Sequence, residues 1–204
     1  MSEEWRTVTI EGKENLWYSV SNYGNVMSHL YNHGLGRNSA GISLGSITEY
    51  HPNNKKLLKQ FVVGGKNRFH LQVGLMFPKN FFEDHDYPPR SENTVYRKVT
   101  VHKLVMEAFR PMDKYPPDGL KDCWDDIPEE AKKWIEQTVT VNHIDHDQSN
   151  NYVSNLEYTT QKGNSHAALK YYGKGWFGNV KNKAKQNEDG SNTIISQLLE
   201  CEFK

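Results

Sequence analysis

The residues best suited to chemistry in this sequence are a histidine and the amides around it. His143 lies near the end of Val-Thr-Val-Asn-His-Ile over residues 139–144, which reads as a strand, where a rigid backbone can aim an imidazole. Asn142 precedes it. Asn164 falls on a helix read from about 160 to 171, with Ala167, Ala168 and Tyr171 near the same face. If this strand and a second at 156–159 fold onto that helix, Asn142, His143 and Asn164 converge at one end of the unit. A neutral imidazole can take a proton from water. Amide oxygens suit a hard cation of the magnesium kind, which keeps several waters and takes few protein ligands plus a phosphate. A base for water and a cation for the developing charge are what phosphodiester hydrolysis requires.

The elements that must position these groups are legible from pattern. Residues 4–28 read as short strands, with Trp5, Val8, Ile10, Trp17 and Val20 alternating with polar residues and Ser21-Asn22-Tyr23-Gly24-Asn25 as a turn. Residues 31–47 are Gly-rich and polar and read as a long loop. A hairpin is expected over 59–73, with Gly64-Gly65-Lys66-Asn67 at its tip, followed by an irregular excursion over 78–93 that contains Pro78, Pro88 and Pro89. A strand at 94–100 leads into a helix on which Val101, Leu104, Val105, Ala108 and Phe109 share a face and which Pro111 closes. His102 opens that helix in a packing or capping role. Residues 113–138 look inserted, with Asp126 capping a helix that buries Ile127, Ala131, Trp134 and Ile135. The tail, 172–204, is basic and Gly/Asn-rich and ends in a short helical pattern through Ile194, Ile195, Leu198 and Leu199.

Composition excludes several classes. The chain of 204 residues has a hydrophobic fraction of 36%, with 5 Trp, 11 Tyr and 8 Phe, enough for a core rather than long disorder. No apolar run approaches the roughly 18 residues needed to cross a bilayer, so no membrane is expected, and MSEEWRTVTI lacks the regions of a signal peptide. Cys123 and Cys201 form no metal-ligand pair, so no structural zinc is expected, and the thiol pattern fits a reducing cytoplasm. The formal net charge of zero argues against a protein that simply coats nucleic acid. Its distribution is polarised, however. Residues 51–110 hold eleven Lys/Arg against five Asp/Glu, whereas 111–147 hold four against ten.

Val141-Asn142-His143-Ile144-Asp145, Asn150-Asn151, Ser154-Asn155-Leu156-Glu157 and Thr160-Gln161-Lys162-Gly163-Asn164 together resemble the HNH motif of phage and intron-encoded homing endonucleases. The resemblance extends upstream. Val101-His102-Lys103-Leu104-Val105 with Ala108-Phe109-Arg110-Pro111 is similar to the helix that precedes the HNH core in that family. Glu4-Trp5 and Tyr18-Ser19-Val20-Ser21-Asn22-Tyr23-Gly24-Asn25-Val26, with Ser28, resemble a small N-terminal module often attached to these nucleases and associated with DNA binding. The family's connection between helix and motif is usually shorter, so 113–138 departs from it as an acidic insert. His146 also departs, standing where a glycine usually follows the aspartate; histidine tolerates the positive φ that this turn needs better than most residues.

The resemblance implies an α+β protein: an N-terminal β-rich module over 1–58, a ββα-metal nuclease domain over 59–171 with the insert at 113–138, and a basic tail over 172–204. It implies His143 as general base, Asn155 as the residue bracing the loop, and Asn142 and Asn164 as ligands of one divalent ion, magnesium with manganese as the alternative. An aspartate stands at the position of Asn142 in some relatives. The implied substrate is double-stranded DNA, hydrolysed to 5′-phosphate and 3′-hydroxyl ends, with one strand nicked per centre. Lys55, Lys56, Lys59, Lys66, Arg68 and Lys103 in the basic stretch are candidate DNA contacts, and tail residues Lys174, Trp176, Lys181, Lys183 and Lys185 could also track a phosphate backbone. Two rivals remain: a DNA-binding scaffold with weak or no catalysis, and an interaction protein whose acidic insert grips a basic partner.

Overall fold

The computed structural model describes residues 2–34, 37–41, 46–65, 68–78, 81–82, 89–91 and 94–172. It divides into two units, residues 1–161 and 162–204. It is a mixed α/β protein built on several small antiparallel sheets. No helix among the described residues is long and apolar enough to cross a membrane.

The first unit opens with β1 (Trp5–Ile10) and β2 (Lys13–Ser21), a hairpin whose turn, Glu11-Gly12, takes positive φ at both positions. This is the geometry that matches strand twist in two-residue hairpins. β3 (Val26–Ser28) adds to β2. β4 (Leu30–Gly34) and β5 (Ser46–Tyr50) pair with each other, Leu30 opposite Tyr50. The two ends of the 31–47 segment read as a loop, residues 31–34 and 46–47, are therefore paired strand. Tyr31 and Tyr50 are exposed, so backbone pairing rather than apolar alternation builds it, and no local pattern announces it. β6 (Lys56–Leu57) completes the first sheet at β3.

The second sheet is β7 (Phe61–Gly65), β8 (Arg68–Pro78), β9 (Pro89–Ser91) and β10 (Thr94–Thr100), in spatial order β7-β8-β10-β9. The expected hairpin is present, residues 66 and 67 at its tip lying outside the described residues. The excursion at 78–93 is shorter than expected, because β8 continues to Pro78 and β9 pairs with β10. On β8, Val73, Leu75 and Phe77 alternate into the core, each fully buried. They meet Val8, Tyr18, Val20 and Val26 of the first sheet.

α1 (Val101–Phe109) closes this core with Val101, Leu104, Val105, Met106 and Phe109. Truncating a side chain as buried as Leu104 to alanine costs about 2–5 kcal/mol. Arg6 ties the helix to β1: its guanidinium lies 4.6 Å from the Phe109 ring centroid and donates to the Ala108 carbonyl at 3.1 Å. Val141 and Leu156, from the strand pair described next, join the same cluster.

In the insert, a 3-10 segment over Asp118–Asp126 precedes α2 (Glu129–Thr138). Pro128, not Asp126, is the N-cap residue. A residue before proline is driven to extended backbone, and Ile127 has ψ 128°, so the helix cannot start from Asp126. Nor does α2 bury the expected face: none of its residues is fully buried and Trp134 is exposed, while Trp124 from the 3-10 segment is buried instead. β11 (Thr140–His143) and β12 (Leu156–Thr159) form a two-stranded ribbon, His143 opposite Leu156. α3 (Gln161–Tyr172) follows. The tail helix read over 194–199 lies outside the described residues.

Candidate active site

His143 ends β11 and is 5% exposed, held by a side chain and a ring from two other segments. Its Nε2 lies 3.0 Å from Oδ1 of Asn151, itself 3% exposed. The Asn151 amide is turned by its own nitrogen, which donates to the Ser149 carbonyl at 3.5 Å, so Oδ1 faces the imidazole as an acceptor. With Oδ1 as the acceptor, Nε2 carries the proton and Nδ1 keeps the lone pair. Nδ1 accepts no hydrogen bond from any described residue. This is the tautomer that a base working through Nδ1 requires.

The second support is His102, which begins α1 and packs its ring edge-on against His143, centroids 5.4 Å apart and planes at 88°. His70 of β8 continues the ladder, 5.0 Å from His102 at 71°. Burial, reinforced by His143, His70 and Lys103 nearby, lowers the His102 pKa to about 3. Burial and then His143 lower that of His70 as well. His102 is thus neutral at any ordinary pH, and it packs rather than caps: the N-cap is Thr100, which makes no side-chain cap bond.

The loop 144–155 is knitted by its own side chains. Asn155 binds both of its ends: Oδ1 accepts the Asp145 N–H at 3.0 Å, Nδ2 donates to Asp145 Oδ1 at 2.8 Å and to the Asn150 carbonyl at 2.9 Å, and its carbonyl accepts the Ile144 N–H at 2.9 Å. Asp145 also accepts from Asn150 Nδ2 and from the Asp147 N–H. Desolvation pushes the Asp145 carboxyl pKa up, but the bonds from Asn150, Asn155 and Asp147, with His143 nearby, outweigh it and the net shift is downward. His146 turns the chain at φ 63°, the left-handed conformation its position demands.

Asn142 is buried, and its Nδ2 donates to Glu157 Oε1 at 2.8 Å on the strand opposite. This bond fixes the flip of the amide and leaves Oδ1 as its open oxygen, the atom type a hard cation takes. Among the described residues no three His, Cys, Asp or Glu side chains gather into a metal-ligating group. An ion at this point would draw on amide oxygen, water and a substrate phosphate. Adjacent in sequence, Asn142 and His143 have different neighbours, as alternation along a strand requires. Asn164 lies on α3, in the second unit.

The basic candidates with described side chains lie around two elements. Lys55, Lys56 and Lys59 are exposed around β6, with the Lys59 ammonium 6.0 Å from the Phe61 ring centroid. Beside it Phe61, Val62 and Val63 are exposed on β7, an edge strand. Lys103 is exposed on α1, one residue past His102. Arg68 begins β8, its side chain outside the described residues, as are Lys66 and the tail residues Lys174, Trp176, Lys181, Lys183 and Lys185.

Asn151 falls within the motif with no role assigned to it by residue order, and nothing local to His70 marks it. The pairing of a histidine with an amide eight positions on is the available signal.

No family model matches the sequence, and no curated protein is similar to it at a significant level. A solved structure, described as "DNA binding and cleavage by the HNH homing endonuclease I-HmuI", is similar to it at 22% identity and a TM-score of 0.42. The match covers 83% of this chain and 59% of that one, so this chain spans about three-fifths of that enzyme's length.

Proposed function

We propose that this protein is a metal-dependent DNA endonuclease of HNH type that nicks duplex DNA, with His143 as general base. The observation that carries the reading is the 3.0 Å contact between His143 Nε2 and Asn151 Oδ1, at a strand end beside a loop that Asn155 closes; with Oδ1 as acceptor, Nε2 bears the proton and Nδ1 is left open. In this reading Nδ1 takes a proton from the attacking water. Asn151 Oδ1 then stabilises the imidazolium through the bond it already makes to Nε2–H. His102, neutral and edge-on, places no second positive charge against it.

Asn142 Oδ1 is the proposed protein oxygen for a divalent ion, magnesium or manganese. When bound, such an ion supplies charge neutralisation at the scissile phosphate and leaving oxygen. The exposed lysines around β6, together with Lys103, supply phosphate contacts that orient the duplex without reading its sequence.

Relaxation of supercoiled plasmid tests the reading. Wild type is expected to nick in magnesium and to stop when the metal is chelated. His143→Ala is expected to nick about 100-fold more slowly or worse, with duplex affinity unchanged, the scale of a lost general base. A wild-type protein that binds DNA without nicking it would make the chain a binding scaffold instead, and near-normal cleavage by the variant would remove His143 from the mechanism.

A further inference from the structure

The turn between β2 and β3, residues 21–25, belongs to the segment whose resemblance associates it with DNA binding, yet its backbone donors are spent within the protein. Every backbone N–H from Ser21 to Asn25 is used within the protein. Ser21 donates to the Asn25 carbonyl, Asn22 to the Glu4 carbonyl, Tyr23 and Asn25 to Ser21 Oγ, and Gly24 to the Ser21 carbonyl, at 2.8 to 3.3 Å. A turn with no free N–H cannot cradle a phosphate.

What the turn touches is the loop that aims His143. The Asn22 carbonyl accepts the Val153 N–H at 2.9 Å. The Tyr23 ring stacks on Tyr152, centroids 5.1 Å apart and planes at 24°. Gly24, at φ +84°, lies so close to Asn151 that a Cβ there would sit 2.6 Å from Asn151 Cβ, 3.3 Å from its carbonyl oxygen and 3.4 Å from Val101 Cγ1. Gln60 secures the turn from elsewhere, donating to the Gly24 carbonyl at 2.7 Å. Apart from the His143 contact, the Asn151 amide is oriented by one long bond, to the Ser149 carbonyl, so its position depends also on what it packs against.

We propose that turn 21–25 is a positioning element for the nuclease site: it clamps residues 151–153 and, through Asn151, sets the tautomer and aim of His143. The N-terminal strands then act on the rate of the reaction rather than on DNA affinity. The kinetic arm of this proposal rests on the nuclease reading above; the tautomer arm does not.

The experiment uses the full chain with Gly24→Ala, Tyr23→Leu and, as benchmark, Asn151→Ala. Long-range 15N–1H correlation of the histidine rings reads the His143 tautomer, nicking reads kcat, and titration of duplex DNA without divalent metal reads affinity. Relief of the 2.6 Å approach needs a shift of roughly 1 Å, and displacement on that scale costs about 10- to 100-fold in rate. Gly24→Ala is expected to lose kcat on that scale and to turn His143 from the Nε2–H form to a tautomer mixture, as Asn151→Ala does. Duplex affinity stays within about twofold of wild type. Tyr23→Leu, which leaves the backbone intact, follows the same pattern more weakly and decides the matter if Gly24→Ala fails to fold. An unchanged tautomer in a folded Gly24→Ala protein, or in Tyr23→Leu should Gly24→Ala not fold, overturns the proposal. So does a loss confined to DNA affinity, which would make the turn a DNA contact. If wild type shows no nicking, the nuclease reading fails, and the tautomer measurements still decide the clamp.

Discussion

Replacing Asn155 with alanine tests whether the loop beside His143 is held by one side chain. The substitution removes three hydrogen bonds, of 3.0, 2.8 and 2.9 Å, that join Asp145 and Asn150 to the far end of the loop. Each neutral bond contributes about 1 kcal/mol net. The bond to the Asp145 carboxylate is charge-assisted, but Asp145 is exposed, which discounts that advantage. The sum is about 2–3 kcal/mol, or roughly 5–10 °C in Tm for a unit of this size. Because Asn151 sits in the same loop, kcat for nicking is expected to fall by about 10-fold or more. Asn155→Asp separates bracing from mere bulk. It keeps the acceptor for the Asp145 N–H but sets a second carboxylate against Asp145. At neutral pH it is therefore expected to be less stable than Asn155→Ala, recovering as pH falls into the carboxylate range. Thermal melts at pH 5 and 8 with plasmid nicking are the assay. An alanine variant melting within about 2 °C of wild type, or an aspartate variant more stable than it at pH 8, would refute the bracing argument.

Glu107 supplies a second test. Burial raises its carboxyl pKa from 4.5 to about 7, only partly offset by the Glu11 N–H and the charges of Lys103 and Arg97. The folded state thus holds this proton more tightly, and the stability it contributes is full below pH 4.5 and is lost as pH rises towards 7. Glu107→Gln is expected to flatten that decline, which is at most about 3 kcal/mol and less where solvent reaches the group; urea titrations in which variant and wild type lose the same unfolding free energy between pH 5 and 8 would count against it. For DNA binding, neutralising Lys55, Lys56, Lys59 and Lys103 together is expected to reduce the salt dependence of log K by roughly 0.9 for each phosphate they neutralise. An unchanged slope would move the duplex to another face.

Much of the local structure could be read from residue order because its causes are local. The apolar face of α1 follows a helical period, and the stop at Pro111 follows from proline's missing N–H. The 59–73 hairpin carries glycines at the end of its first strand, and the histidine at position 146 takes the positive φ that its place in the motif implies. What escaped had distant or competing causes. The β4–β5 hairpin pairs through backbone with its tyrosines in solvent, so it has no apolar signature. Asp126 meets the rule for a cap, but Pro128 overrides it two residues later. Asn151 acquires its work from His143 and from a turn more than a hundred residues earlier. A motif shows which residues recur together; it does not say which one packs against a glycine in another strand pair.

The histidine ladder shows the same dependence on distant segments. His70, His102 and His143 come from β8, α1 and β11 and meet edge to face. His102 Nδ1 is buried with no hydrogen-bond partner among the described residues, which costs about 1–3 kcal/mol in an ordinary core. A leucine there would remove that cost and fill similar space. It would forgo, however, a flat ring that packs perpendicular to the His143 ring and limits its rotation. A lysine would bring a full positive charge against a ring proposed to become cationic itself. A histidine kept neutral by burial avoids both faults. The orphaned nitrogen is therefore best explained by the ring it supports: stability is conceded in the core where it fixes the plane of the residue proposed to do the chemistry.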